Sequence, residues 1–266
     1  MPSLWLILVE FLFRLTFGVA VSMALTPSKL VTSGFYRIHL WVLMGLMTFA
    51  SLAIWGTRPI EMAKPLYGIW GAPLILAATA AVVSYLGAVI WMYEQHRAGK
   101  VAIWIVAGLA IVGCQFHSVS TSQISLPWLI VDRVTGGLVL GSITTAMLLG
   151  HWYLNTPTMK LDPLRRLIWL IVFALVCRMI VSGSGAWLEG ARLAAADSLT
   201  QQWLLFLSLR WLAGLISPLG LAWMTWQTLK IPNTQSATGI LYAAVILAFI
   251  GELTAQLMTA SAAYPV

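Results

Sequence analysis

The stretch IWGAPLILAATAAVVSYLGAVIWMY, residues 69–93, contains 25 consecutive residues without a charged side chain. A helix needs about 20 apolar residues to cross a bilayer, so this stretch predicts a transmembrane helix. The whole chain has the same character, because 60% of its 266 residues are hydrophobic and only 9% are charged. Soluble domains carry about 25% charged residues. The sequence therefore predicts an integral membrane protein and excludes a soluble nucleic-acid-binding domain, despite the net charge of +7.

Proline, glycine and charged clusters divide the apolar sequence into eight predicted spans within one transmembrane domain, residues 1–266. The spans lie at residues 4–25, 35–56, 69–93, 101–116, 134–153, 163–187, 203–229 and 238–260. Their apolar runs are continuous rather than alternating, which favours helices over a membrane β-barrel. We therefore expect an all-α membrane protein, with a kink at Ser217-Pro218 in the seventh span.

Lysine and arginine are divided unevenly between the two sets of loops. The odd-numbered loops and their helix edges carry eight, namely Lys29, Arg37, Arg97, Lys100, Lys160, Arg165, Arg166 and Lys230. The even-numbered loops and edges carry four, namely Arg58, Lys64, Arg133 and Arg192. Positive charge concentrates on the cytoplasmic side of multi-pass proteins. We therefore expect the odd loops in the cytoplasm and both termini on the outer, periplasmic side of a bacterial inner membrane.

Five ionisable residues fall inside the predicted spans, where each costs about 3 kcal/mol at a helix centre. They are Glu10, Arg14, Arg178, Arg210 and Glu252. The predicted orientation places all five at or outside the membrane midplane, at the level of His117, Asp132 and Arg133. This shared depth predicts one polar region in the outer half of the membrane. Within it, Glu252 is the candidate proton acceptor, with two arginines to balance its charge.

Each of these charges also has a purely structural interpretation. Glu10 and Arg14 are four residues apart on one helical face, so they can neutralise each other. Arg178 and Arg210 can bind backbone carbonyls or Glu252 and thereby hold helices together without any chemistry. The functional interpretation requires instead that the charges border a site for a polar headgroup and a path for protons.

The histidines raise the question of haem. His39 and His151 lie near the inner ends of spans two and five, a depth that suits the two axial ligands of haem b. Interfacial or hydrogen-bonded histidines are the alternative, because no span carries paired histidines. Cys114 and Cys177 lie in apolar runs without metal-binding spacing, so no metal site is predicted.

Three short stretches carry a resemblance to a known family. They are LWVLMG at 40–45 followed by GTRP at 56–59, LPW at 126–128, and IGEL at 250–253. These stretches resemble the second helix, the middle and the last helix of the membrane anchor of the dimethyl sulfoxide reductase family. That anchor belongs to the wider polysulfide-reductase and nitrite-reductase (NrfD-like) membrane subunits. The predicted layout of eight spans with outward termini is similar to theirs.

The resemblance implies two four-helix bundles without haem and a reaction with a quinone, menaquinone or ubiquinone, on the outer side. It also implies partners: an iron–sulfur electron-transfer subunit and a molybdopterin-type catalytic subunit, so that the chain is not a complete enzyme alone. Where the family commonly has a histidine implicated in quinol binding, at the exit of the second helix, this chain has Trp55.

The leading hypothesis is therefore a quinone-reactive membrane anchor of a respiratory oxidoreductase complex, embedded in membrane lipid. Its candidate reactive groups are Glu252, Arg210, Arg178 and His117, and its candidate quinone-pocket residues are Glu10, Arg14, Asp132 and Trp55. Two alternatives stay open. One is a b-type cytochrome subunit with His39 and His151 as ligands, and the other is a transporter or structural membrane subunit.

Overall fold

The computed structural model describes residues 4–57, 71–118, 124–156, 158–231 and 233–266, without the side chains of residues 117 and 118. Regular structure in this part of the chain is entirely helical. Eight of its helical segments are long and apolar enough to cross a membrane. The prediction of an all-α, multi-pass membrane protein with eight spans is confirmed to this extent.

The spans follow one another through short connections. The first four are α1 (Leu4–Leu25), α2 (Ser33–Thr57), α3 (Gly71–Met92) and α4 (His96–Ser118). The next two are α5 (Leu126–Asn155) and α6 (Asp162–Ala195). The seventh consists of α7 (Gln201–Trp211), a π-helical turn (Leu212–Ile216) and α8 (Ser217–Lys230), and the eighth is α9 (Thr234–Thr259).

Two helices differ from their predicted bounds in a way that matters for the charged residues. α5 begins at Leu126 rather than at 134, with Ser125 as its N-cap and Pro127 in its first turn, where a missing N–H is tolerated. Asp132 and Arg133 therefore lie inside the span and not in its entrance. α6 continues to Ala195, past the predicted end at 187.

The seventh span departs from α-helical geometry just before its proline. The π-helical turn ends at Ile216, and Pro218 lies in the first turn of α8. Because proline supplies no N–H to the helix ladder, the preceding turn must rearrange, and π-helical turns are frequent at functional sites. The irregular backbone begins two residues after Arg210, which is buried.

Helices α1 and α5 occupy the centre of the molecule. α1 packs against α2, α4 and α5, while α3 packs against α2 and α4. α5 also packs against α6 and α9, and α8 packs against the same two helices. The most apolar windows of α1 and α5 are 67% and 72% buried, more than those of the other spans. Side chains on these two helices therefore have the least contact with lipid.

Glycine brings α1 and α5 into backbone contact. A Cβ atom on Gly18 would overlap the carbonyl oxygen of Gly137, and one on Gly141 would overlap the backbone of Gly18. Small residues allow transmembrane helices to approach this closely. The contact lies one helical turn from Arg14 on α1 and from Arg133 on α5, so it fixes how near their side chains come.

Substitution of Gly18 by alanine is expected to lower stability by about 1–3 kcal/mol, because the added methyl group meets backbone that cannot move aside. The measurement is thermal unfolding of the purified protein in detergent. Gly45→Ala on α2 is the matched control, since a Cβ there meets no atom within 4 Å. Equal unfolding temperatures for the two variants would contradict the tight contact.

Candidate functional site

Seven ionisable side chains from five helices form one hydrogen-bonded cluster, called here the ionic network. Its members are Glu10 and Arg14 of α1, Asp132 and Arg133 of α5, Arg178 of α6, Arg210 of α7 and Glu252 of α9. Four arginines and three carboxylates give it a formal charge of 4 − 3 = +1. The Glu10 side chain is 16% exposed, and no other member exceeds 2%.

Arg178 lies at the centre of the ionic network. Its Nε and Nη2 donate to the two carboxylate oxygens of Glu252, at 3.0 and 2.9 Å. Its Nη1 donates to Oδ1 of Asp132 at 2.5 Å. The planar guanidinium group matches the fork of a carboxylate, which makes such paired contacts stronger than single ones. Through Arg178, α6 is joined to both α5 and α9.

Asp132 connects the network to Arg14 on α1. Nη2 of Arg14 donates to Oδ2 of Asp132 at 2.6 Å and to Oε1 of Glu10 at 2.5 Å. Nε of Arg133 lies 3.4 Å from the same Glu10 oxygen, and its Nη1 donates to Oε1 of Gln115 at 2.7 Å. Glu10 and Arg14 therefore do pair with each other, but they are not an isolated pair.

Arg210 forms the opposite end of the network. Its Nη2 donates to Oε1 of Glu252 at 2.9 Å and to Oγ of Ser182 at 3.2 Å. Gly214, in the π-helical turn, makes room for the guanidinium group, because a Cβ there would overlap Nη1 of Arg210. The same glycine also lies against the backbone of Gly251 on α9. The rearranged turn thus brings Arg210 and Glu252 together.

The network holds more hydrogen-bond donors than acceptors. Nη1 of Arg14, Nη2 of Arg133, and both Nε and Nη1 of Arg210 are buried without a partner among the described residues. The amide of Gln256, one turn beyond Glu252 on α9, is likewise buried and unpaired within that part of the chain. A buried donor without an acceptor costs about 1–3 kcal/mol. Such groups call for an explanation, and a bound water, ion or ligand is one of the common ones.

Glycine also shapes the middle of the network. A Cβ on Gly136 would lie 2.7 Å from Oε2 of Glu252 and 3.1 Å from Nη1 of Arg14. The absence of a side chain at this position on α5 allows charged groups from α1 and α9 to approach each other across the helix.

The other sequence-predicted residues lie in different surroundings. His39 is buried and its Nδ1 donates to the carbonyl oxygen of Phe35 at 2.6 Å, whereas His151 is exposed on α5. Trp55 is 47% exposed on α2. The side chain of His117 lies outside the described part of the chain. The haem interpretation of His39 and His151 stays a prediction.

We searched residues 4–57, 71–118, 124–156, 158–231 and 233–266 for a metal centre. These residues contain no group of three or more histidine, cysteine, aspartate or glutamate side chains that could hold a metal ion.

The sequence predicts Arg133 at the depth of the polar region, but not among the candidate residues of the site. Arg133 counted as a charge at a loop edge, because the fifth span was predicted to begin at residue 134. The Ser-Leu-Pro start of α5 at residues 125–127 is the signal that would have moved Asp132 and Arg133 into its second turn. Gln115, Ser182 and Gln256 carried no sequence signal at all, since isolated polar residues are common in apolar spans.

The arrangement combines anion-compatible donors with three carboxylates, each of which contacts two arginines. The surplus donors on Arg210 can bind a carbonyl or an anionic oxygen, and a third nitrogen of the same guanidinium group donates to the carboxylate of Glu252. Glu10, the member with the largest exposed fraction, is the point at which the network reaches its surroundings.

Comparison of the chain with protein-family models, with curated proteins and with solved structures finds no match in any of the three.

Proposed function

We propose that the chain is the quinone- or quinol-reactive membrane subunit of a respiratory oxidoreductase complex, with the ionic network as its site of quinone binding and proton exchange. The observation that carries the proposal is the surplus of buried donors around Arg210 and Glu252. A quinone has two carbonyl oxygens that accept hydrogen bonds on an otherwise apolar ring. Menaquinone or ubiquinone, dissolved in the membrane, would satisfy Nε and Nη1 of Arg210.

The chemistry assigned to the site is a transfer of protons coupled to a transfer of electrons elsewhere. Oxidation of a quinol to a quinone releases two electrons and two protons. The electrons would pass to an iron–sulfur partner subunit and on to a molybdopterin-type catalytic subunit, and reduction of a quinone would reverse these steps. Glu252 would accept the two protons of the quinol one after the other, releasing the first before it takes the second, while Arg178 and Arg210 orient its carboxylate.

The proposal includes a topology in the bacterial inner membrane. With Arg133 buried in the network, the even loops retain 4 − 1 = 3 lysines and arginines against eight in the odd loops. This bias supports cytoplasmic odd loops, periplasmic termini and a network in the outer half of the membrane. The helix contacts support two four-helix bundles, the first comprising α1 to α4 and the second α5 to α9, joined through α1 and α5.

The proposal is tested by the affinity of the protein for a quinone. Substitution of Arg210 by glutamine is expected to weaken binding about tenfold to a hundredfold, because a hydrogen bond from a charged donor contributes about 1.5–3 kcal/mol. The measurement is a titration of the purified protein in nanodiscs with short-chain menaquinone and ubiquinone analogues, followed by quenching of tryptophan fluorescence. Unchanged affinity in the variant would contradict the proposed site.

The matched control for this titration is Arg97→Gln. Arg97 is exposed near the start of α4, so its loss changes the net charge equally without touching the network. Its quinone affinity is expected to equal that of the unaltered protein. A loss of affinity in both variants would point to overall charge instead of Arg210.

A purely structural role is the second candidate function. It is favoured by the pairing within the network, in which Glu10, Asp132 and Glu252 each contact at least two arginines. If this alternative is correct, the network only holds five helices together. Arg210→Gln then lowers the unfolding temperature, and neither the variant nor the unaltered protein binds a quinone. The titration described above separates the two.

A further inference from the structure

A groove lies between the end of α1 and the beginning of α6, far from the ionic network. It has a volume of about 330 Å³, and its lining includes Leu25 at the end of α1, Thr26 directly after it, and Arg166, Trp169 and Phe173 of α6. Arg166 precedes Arg178 by twelve residues, which corresponds to about 18 Å along the helix. The groove is therefore separate from the site to which the quinone is assigned.

The walls of the groove are apolar and face the surroundings. Trp169 and Phe173 are four residues apart on one side of α6, and both are more than half exposed, as is Leu25 on α1. Trp169 is held in place by Trp226 of α8, with ring centroids 5.5 Å apart in an edge-to-face arrangement. A preformed apolar channel at this position suits a hydrocarbon chain.

Among the described residues that line the groove, Arg166 is the one with a cationic side chain. Of the two neighbouring arginines, Arg165 is engaged, because its Nη2 donates to the carbonyl oxygen of Leu229 at 3.2 Å. Arg166 is exposed, and within the described part of the chain no acceptor lies within hydrogen-bond distance of its guanidinium group. Its donors are therefore free for a ligand.

The surrounding end of the molecule is strongly basic. It carries eight lysines and arginines, namely Lys29, Arg37, Arg97, Lys100, Lys160, Arg165, Arg166 and Lys230, against the two acidic residues Glu94 and Asp162. The resulting formal charge of 8 − 2 = +6 attracts anionic headgroups at the membrane surface, and basic pockets beside transmembrane helices are typical sites for them.

We propose that this groove binds one anionic glycerophospholipid, with its phosphate on Arg166 and an acyl chain between Leu25 and the Trp169–Phe173 face of α6. The charge of the phosphate complements the free guanidinium group, and the exposed apolar side chains beside it suit the upper part of an acyl chain. The site is independent of the quinone proposal, since it shares no residue with the ionic network.

The test is native mass spectrometry of the detergent-purified full chain titrated with phosphatidylglycerol or with zwitterionic phosphatidylcholine. The first phosphatidylglycerol is expected to bind about fivefold more tightly than phosphatidylcholine, the factor that one surface cation contributes. Arg166→Gln is expected to abolish this preference, and Arg166→Lys, which keeps the charge, to retain it. Phe173→Ala is expected to weaken both lipids, because it shortens the apolar wall.

The control is again Arg97→Gln, which removes a cation from the same basic end but not from the groove, and it is expected to keep the preference. Equal affinity of the unaltered protein for both lipids would overturn the proposal. If Arg97→Gln and Arg166→Gln lost the preference for phosphatidylglycerol equally, the proposal would also be overturned, because the preference would then belong to the basic end as a whole. Displacement of phosphatidylglycerol by a quinone analogue would overturn it as well, by assigning the groove to a different ligand.

Discussion

Substitution of Arg178 by methionine is expected to lower the free energy of unfolding by about 3–5 kcal/mol, the typical cost of removing one partner from a buried ion pair. Arg178 is fully buried and donates to Asp132 at 2.5 Å and to both oxygens of Glu252 at 3.0 and 2.9 Å. Its loss leaves two buried carboxylates with one arginine fewer to balance their charge. The measurement is denaturant unfolding in detergent micelles.

The control for this variant is Arg97→Met, which removes the same charge from an exposed position on α4 and is expected to leave the free energy of unfolding nearly unchanged. A double variant, Arg178→Met with Glu252→Met, is expected to cost less than the sum of the two single variants. The reason is that each single variant already breaks the Arg178–Glu252 contact, so the sum counts the loss of that contact twice. Strict additivity would mean that the two side chains do not depend on each other.

Substitution of Glu252 by glutamine is expected to slow quinol oxidation about a hundredfold or more, if the quinone-reactive function proposed above is correct. Glutamine has the shape of glutamate and still offers one oxygen to Arg178, but it cannot take up the proton that the quinol releases. The expected loss is in kcat, with KM little changed. The measurement is quinol-driven electron transfer in the intact complex, with the unfolding temperature recorded in parallel.

The matched control for Glu252→Gln is Glu189→Gln. Glu189 is also buried in an apolar span, but its partners are Arg192 and the backbone N–H of Ala263, outside the ionic network. We expect its kcat to stay close to the unaltered value, because Glu189 contacts no member of the ionic network. Quinol oxidation that survives Glu252→Gln in a stably folded complex would refute the role of Glu252 and leave the structural interpretation of the network.

The structural and functional roles of the network are not exclusive, and the two substitutions separate them. Arg178 contacts carboxylates on two helices, so its loss is expected to act mainly on stability. Glu252 lies beside Arg210, whose Nε and Nη1 have no acceptor in the described part of the chain, so its conservative replacement is expected to act mainly on activity. If the network served only to hold helices together, Arg178→Met would lower stability but Glu252→Gln would not slow quinol oxidation.

The sequence by itself determined the class of the protein and the number of its spans. Long apolar runs such as residues 69–93 can be accommodated only in a membrane, and each run closes its own backbone hydrogen bonds as a helix. The common depth of Glu10, Arg14, Arg178, Arg210 and Glu252 could also be estimated from their positions along the runs. Both inferences depend on local properties of the chain.

Only the tertiary structure decided which charges contact one another. Arg14 and Asp132 are 118 residues apart, and Arg178 and Glu252 are 74 apart, so no local pattern relates them. Spans that are apolar on every side do not reveal which face turns inward, and the rotation of each helix is set by close contacts such as that of Gly18 with Gly137. That is why the burial of Arg133 and the unpaired donors of Arg210 became visible only once the helices were packed together.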